Sequence, residues 1–166
     1  VDPKPSFMLK LRGADLFLVN GLDLEIGWVP PLTQGARNAR ILPGAKDYVD
    51  CSADVHVVEI PSGSVSRSEG DVHPYGNPHY LSDPLNAEPV AAQIAAALSR
   101  KSPADAALFV ARRDDFIRRL HVAVFGPELV DLVGGTKLAR LARSDELAEF
   151  LSSSVVDGKP LTDRLG

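Results

Sequence analysis

Between residues 71 and 87 the chain reads DVHPYGNPHYLSDPLNA, and Pro74, Gly76 and Pro78 there forbid both a regular helix and a central strand. The segment is therefore expected to be an ordered loop, its backbone angles fixed by proline and its side chains aimed by that rigidity. Asp83 and Pro84 have the residue types of a cap and first turn, so a helix should follow. His79 lies at the centre of the run. An imidazole on a proline-stiffened loop is a good candidate metal ligand, because little conformational freedom remains to be lost on coordination. His73, six residues earlier, is a second candidate, although a loop histidine is as readily a plain solvent-exposed residue. Asp71 and Asp83 are the nearby carboxylates. Zinc takes about four nitrogen, oxygen or sulfur donors, or three where a water completes the shell. His79 alone is not a site.

Hydrophobic residues make up 45% of the 166-residue chain and charged residues 24%, the balance of a globular protein with a sizeable core. The net charge of −4, with 18 Lys and Arg against 22 Asp and Glu, and no basic cluster beyond short Arg pairs, argues against a nucleic-acid partner. Cys51 is the one cysteine, which excludes an internal disulfide and a zinc–thiolate cluster. No run reaches the about 18 apolar residues of a membrane span, and the opening VDPKPS lacks the basic and apolar regions of a signal peptide.

Pro5 and Ser6 should start a short helix that Gly13 ends. The apolar run 16–19, closed by Asn20 and Gly21, has the form of a buried parallel strand. A helix is predicted from 22 to about 32, with Pro30 and Pro31 near its end. Residues 40–42 are a candidate strand, 43–52 an irregular stretch, and Val55, Val57, Val58 and Ile60 a further strand containing His56. Residues 62–70, rich in Ser and Gly, should be a flexible loop. Helices are expected over about 86–100 and about 103–125, the second capped by Ser102 and stopped by Gly126 and Pro127. On that long helix Val110, Ile117, Leu120 and Val124 form the side expected to face the sheet, and His121 is expected to be half-buried. Asp114 with Arg118 and Asp115 with Arg119 have the spacing of solvent-facing ion pairs. Two or three short helices follow, and the tail SSSVVDGKPLTDRLG shows no packing pattern.

The run GDVHPYGNPHYLSDPLNA resembles the signature N-P-H-Y-W-L-D-P-E-N-A of the substrate-binding proteins of zinc and manganese ABC transporters, the cluster 9 or TroA-like family. Asn77, Pro78, His79, Tyr80, Asp83, Pro84, Asn86 and Ala87 match it. Leu81 and Ser82 stand where the family has Trp-Leu, and Leu85 where it has Glu; the histidine is kept. A second block, ADLFLVNGLDLEIGW at 14–28, is similar to the family's A-D-L-V-V-x-N-G-L-x-L-E-x-W. The resemblance runs from about residue 3 to about 120.

That resemblance implies an α/β fold in which a small, mostly parallel sheet flanked by helices forms most of an N-terminal metal-binding lobe (1–102). A long interlobe helix (103–125) and a helical segment (126–166) leading to a second lobe would follow. The chain would then be the middle of a two-lobed, monomeric, extracytoplasmic protein, free or membrane-anchored, that captures Zn²⁺ or Mn²⁺ and hands it to an ABC permease. The family ligand that carries over is His79; His73 is an additional candidate outside the family's ligand set. His79 is expected in a concave surface at the C-terminal ends of the strands, where open α/β sheets bind ligands. Glu25, in the second block, is expected to fix the strand-to-helix turn. A metal-dependent hydrolase using His73, His79 and a carboxylate is an alternative without an HExxH pair to support it, and a metal-free interaction module is another. There is no G-x-S-x-G, P-loop or G-x-G-x-x-G in the chain.

Overall fold

The computed structural model describes residues 4–62 and 73–164. It divides the chain into two compact units, 1–111 and 112–166.

In the first unit, helix α1 (Pro5–Arg12) opens on Pro5, whose missing N–H costs nothing in a first turn, and closes at Gly13, whose N–H reaches the Lys10 carbonyl at 3.3 Å. The Asn38 side chain then holds the end of α1, donating to the carbonyls of Leu11 (3.0 Å) and Ala14 (2.8 Å). Strand β1 (Phe17–Val19) pairs in parallel with β2 (Tyr48–Asp50), placing Leu18 opposite Val49 and Val19 opposite Asp50. Between them lies α2 (Val29–Ala36), which packs on α1 with Gly35 against the Met8 side chain. Helix α3 (Ala87–Lys101) covers β2: Val49, Cys51 and Ala97 are buried together, with Leu16, Val90 and Ile94 around them. The expected parallel α/β arrangement is present, with two strands.

Several local expectations change. The prolines at 30 and 31 open α2 instead of ending a helix begun at 22. Leu22 and Asp23 both take positive φ (52° and 62°), which makes residues 21–28 a series of turns, and proline suits only the first turn of the helix that follows. Residues Ala39–Ile41 form a single 3-10 turn in place of a strand. The second strand lies instead within the stretch expected to be irregular. No strand forms over 55–60: Glu59 turns to positive φ (58°), and Val58 and Ile60 are exposed. His56 is exposed. Apart from Ser62, the loop expected at 62–70 lies outside the described residues, as does Asp71.

Helix α4 (Ala106–Phe125), entered by a 3-10 turn at Pro103–Asp105, is 20 residues and about 30 Å long; Ser102, expected to cap it, makes no side-chain cap bond, its Oγ donating instead to Asp105 Oδ2 (2.6 Å). Its charged face carries Asp115 between Arg118 (3.0 Å) and Arg119 (2.9 Å), and hydrogen bonds from first Arg118 and then Arg119 hold the Asp115 carboxyl below the usual range. Asp114 pairs with Arg113 at 2.7 Å instead of with Arg118. Val110 and Val124, expected to face inward, are exposed, and His121, expected to be half-buried, is the buried side chain of this helix.

In the second unit Gly126 (φ 82°) ends α4, and α5 (Pro127–Val133), α6 (Gly135–Arg143) and α7 (Leu147–Ser153) follow. Leu129, Leu138, Leu151 and Leu161 form their core, closed by Phe125, Val133 and Phe150. Gly135 sits against the His121 imidazole, at a distance that leaves no room for a Cβ. The tail is not patternless: β3 (Val155–Val156) and β4 (Lys159–Pro160) pair antiparallel, turned by Asp157 (φ 52°) and Gly158 (φ 76°). Positive φ at both central residues matches the twist of a tight hairpin, and the turn delivers Leu161, 1% exposed, into the core. Among the described residues no helix is long and apolar enough to cross a membrane.

Candidate metal centre

The proline-stiffened loop is built from consecutive tight turns. The Gly76 N–H donates to the His73 carbonyl (3.1 Å), so residues 73–76 close on themselves. Gly76 takes φ 99°, and any Cβ there would press on the Val57 side chain and lie 2.9 Å from the Val58 carbonyl. Glycine thus lets the loop seat directly on the 57–60 segment. Asn77 secures the seat: its N–H donates to the Val58 carbonyl (2.9 Å) and its Nδ2 to Glu59 Oε2 (2.8 Å). Its Oδ1 accepts from the His79 N–H (2.8 Å), the side-chain turn for which asparagine is favoured. The His79 carbonyl then accepts from Ser82 N–H (2.9 Å), and Asp83 Oδ1 caps the next turn at Leu85 N–H (2.9 Å).

The loop is fastened to the sheet through Asn20, which directly follows β1. Asn20 Nδ2 donates to the carbonyl of buried Pro78 (3.0 Å), and the hydroxyl of Tyr80, 5% exposed, donates to the Asn20 carbonyl (2.8 Å). His79 is therefore bracketed by two residues that both hold the end of β1. Asn20 is held in turn by Glu25, whose Oε1 accepts the Asn20 N–H (2.7 Å) and whose Oε2 accepts the Gly21 N–H (3.2 Å). This is the turn-fixing role expected of Glu25. Asn86 donates to the Tyr80 carbonyl (2.9 Å) and ties the same loop to the start of α3. Burial pushes the Tyr80 phenol up to about 12, helped by the negative charge of Cys51, Asp50 and Glu25, so the hydroxyl remains a donor throughout the neutral range.

At the C-terminal ends of β1 and β2 lies a cleft of about 470 Å³, walled by residues including Gly21, Glu25, Asp50, Ser52 and Tyr75. Tyr75 brings the loop to this cleft. His79 is exposed and stands outside the cleft wall. Its ring meets that of His73 edge to face, with centroids 6.1 Å apart and planes at 84°. The loop thus brings the two candidate histidines together, while Asp83 is engaged as a cap. Among the described residues no group of three or more His, Cys, Asp or Glu side chains is placed to hold a metal ion. Two neighbouring imidazoles could supply half of a tetrahedral zinc shell.

The supporting roles of Asn20 and Tyr80 are not evident from the sequence, although each lies in one of the two blocks that carry the family resemblance: Asn20 closes the apolar strand run, and Tyr80 follows the candidate ligand. The contact between those blocks spans 58 residues of chain. Residues 1–123 match the family model of zinc-uptake complex component A, periplasmic. No curated protein and no solved structure matches the chain.

Proposed function

The chain belongs to the family of periplasmic zinc-uptake complex component A proteins, and from that premise we propose that it is the zinc-capturing part of an extracytoplasmic solute-binding protein that passes the ion to an ABC permease. His79 is the ligand. Imidazole nitrogen suits zinc better than manganese, which favours oxygen donors, and the family's substrate is zinc. In this reading 1–102 form the capturing lobe, 103–125 the linking helix and 126–166 the approach to a second lobe, the remaining ligands coming from outside the described residues.

The observation that supports this most directly is the double tie of Pro78 and Tyr80 to Asn20. It presents an exposed imidazole on a fixed backbone beside the strand ends, and it joins the two sequence blocks that carry the family resemblance. Such a loop spends little entropy on binding.

The test is calorimetric titration of this chain with Zn²⁺ and with Mn²⁺, in the wild type and in His79→Ala. Zinc should bind weakly, because a single imidazole leaves most of the shell to water, and more tightly than manganese. His79→Ala should abolish the zinc signal. Unchanged zinc binding in His79→Ala, or equal affinity for manganese, would overturn the proposal.

A further inference from the structure

We propose that His73 is a second zinc ligand, so that the H-P-Y-G-N-P-H loop forms a two-imidazole chelate that selects zinc over manganese. This rests on the zinc-capture reading of His79 and deepens it. A 73–76 turn closed by the His73 carbonyl and a side-chain turn at Asn77 reverse the chain twice within seven residues, which brings the first and last side chains to the same side. The result is the edge-to-face contact of the two rings at 6.1 Å.

A zinc ion about 2.0–2.1 Å from a ring nitrogen lies roughly 3.2 Å from that ring's centre, so two imidazoles at a tetrahedral angle have centres about 5.2 Å apart. The observed separation has to shrink by about 1 Å, and one ring has to turn so that both nitrogens aim at a common point. His79 is exposed and free to make that rotation. The backbone need not move: Gly76 and Asn77 hold it on the 57–60 segment, and Asn20 holds the far end.

A chelate on one rigid loop has a consequence a lone ligand lacks. Once one imidazole is bound, the second is already at high effective concentration, so both contribute to a single event. Two neutral nitrogen donors also favour zinc over manganese more strongly than one does.

The experiment uses the chain as it stands, probed with Zn²⁺ and Mn²⁺ separately, in the wild type, His73→Ala, His73→Asn, His79→Ala and the double alanine variant. Circular dichroism confirms the fold of each. Side-chain ¹⁵N spectra of the histidines follow the ring nitrogens during titration. The expected result is that one equivalent of zinc shifts ring nitrogens of both His73 and His79, and that either His73 variant weakens zinc binding at least tenfold. The zinc-to-manganese preference should fall with it, and the double variant should be no worse than His79→Ala. If His79→Ala abolishes binding while both His73 variants bind as the wild type does, the chelate is overturned and the capture reading stands. If neither histidine matters, both are overturned. Loss on substituting His73 alone, with His79 silent, also overturns the chelate.

Discussion

Asn20→Ala is the most informative single change, because it leaves every candidate ligand in place. It deletes the Nδ2 donor to the Pro78 carbonyl, while the backbone N–H and carbonyl of residue 20 can still meet Glu25 and Tyr80. Pro78 is fully buried, so its carbonyl loses a partner in a place water reaches poorly. Leaving a buried acceptor unpaired costs about 1–3 kcal/mol, and the part-buried setting of this bond argues for the lower half of that range. That cost falls on the closed form of the loop. If the variant loop then spends most of its time detached, the apparent zinc affinity falls in proportion to the closed fraction, by up to about tenfold for 1.4 kcal/mol. Chemical denaturation measures the first quantity and zinc titration the second. Tyr80→Phe removes the other tie independently, and because both ties end on one residue, the two substitutions should couple in a double-mutant cycle. Loss of stability with unchanged zinc affinity in both variants would refute the claim that these bonds position His79. Unchanged stability would refute the ties themselves.

Alkaline pH tests the same corner of the structure. Folding favours the neutral Tyr80 phenol, raised from 10.0 to about 12, so its contribution is complete below pH 10 and lost between pH 10 and 12; the wild type should lose up to about 2–3 kcal/mol there relative to Tyr80→Phe, and a constant gap between the two across this window would contradict the burial. Gly135→Ala should destabilise the second unit by about 1–3 kcal/mol in denaturant, since its Cβ would lie 2.6 Å from both the Cβ and the Cγ of His121, and His121→Ala, which removes the ring but keeps the Cβ, should relieve only part of the effect. Leu161→Ala should cost about 2–5 kcal/mol and lower the melting temperature, because Leu161 is 1% exposed in the core; a neutral result would show that the tail hairpin does not dock.

Where the chain's own covalent limits decide the outcome, the sequence was a sufficient guide. Proline after Ser102, glycine before Pro127 and the proline-spaced loop around His79 all act within a few residues, and each behaves as its chemistry requires. Pro30 and Pro31 show the limit of that reasoning: the same ring suits the start of a helix and blocks its interior, and the choice fell to positive φ at Leu22 and Asp23. β2 was not legible because one of its three residues is buried, and its existence depends on pairing with β1 some 30 residues earlier. The hairpin at 155–160 did carry a signal, Asp157-Gly158, too short to stand out in a polar tail. For the site, the ligand and its stiff loop were legible, whereas the bonds from Asn20 depend on chain folding back across 58 residues.

Cys51 follows β2 directly, donates its N–H to the Val19 carbonyl (3.0 Å) and packs with Val49 and Ala97. It is 7% exposed, its thiol is pushed up first by burial, and no other cysteine exists in the chain. A thiol reagent can therefore attack only when this corner opens, and the helices beyond α4 contribute nothing to the signal. The labelling rate becomes a clock for excursions of a single small core, the one from which the strand ends and the Asn20 anchor project. Slow labelling in a chain whose other half is melting would show that the core around Cys51 opens on its own schedule.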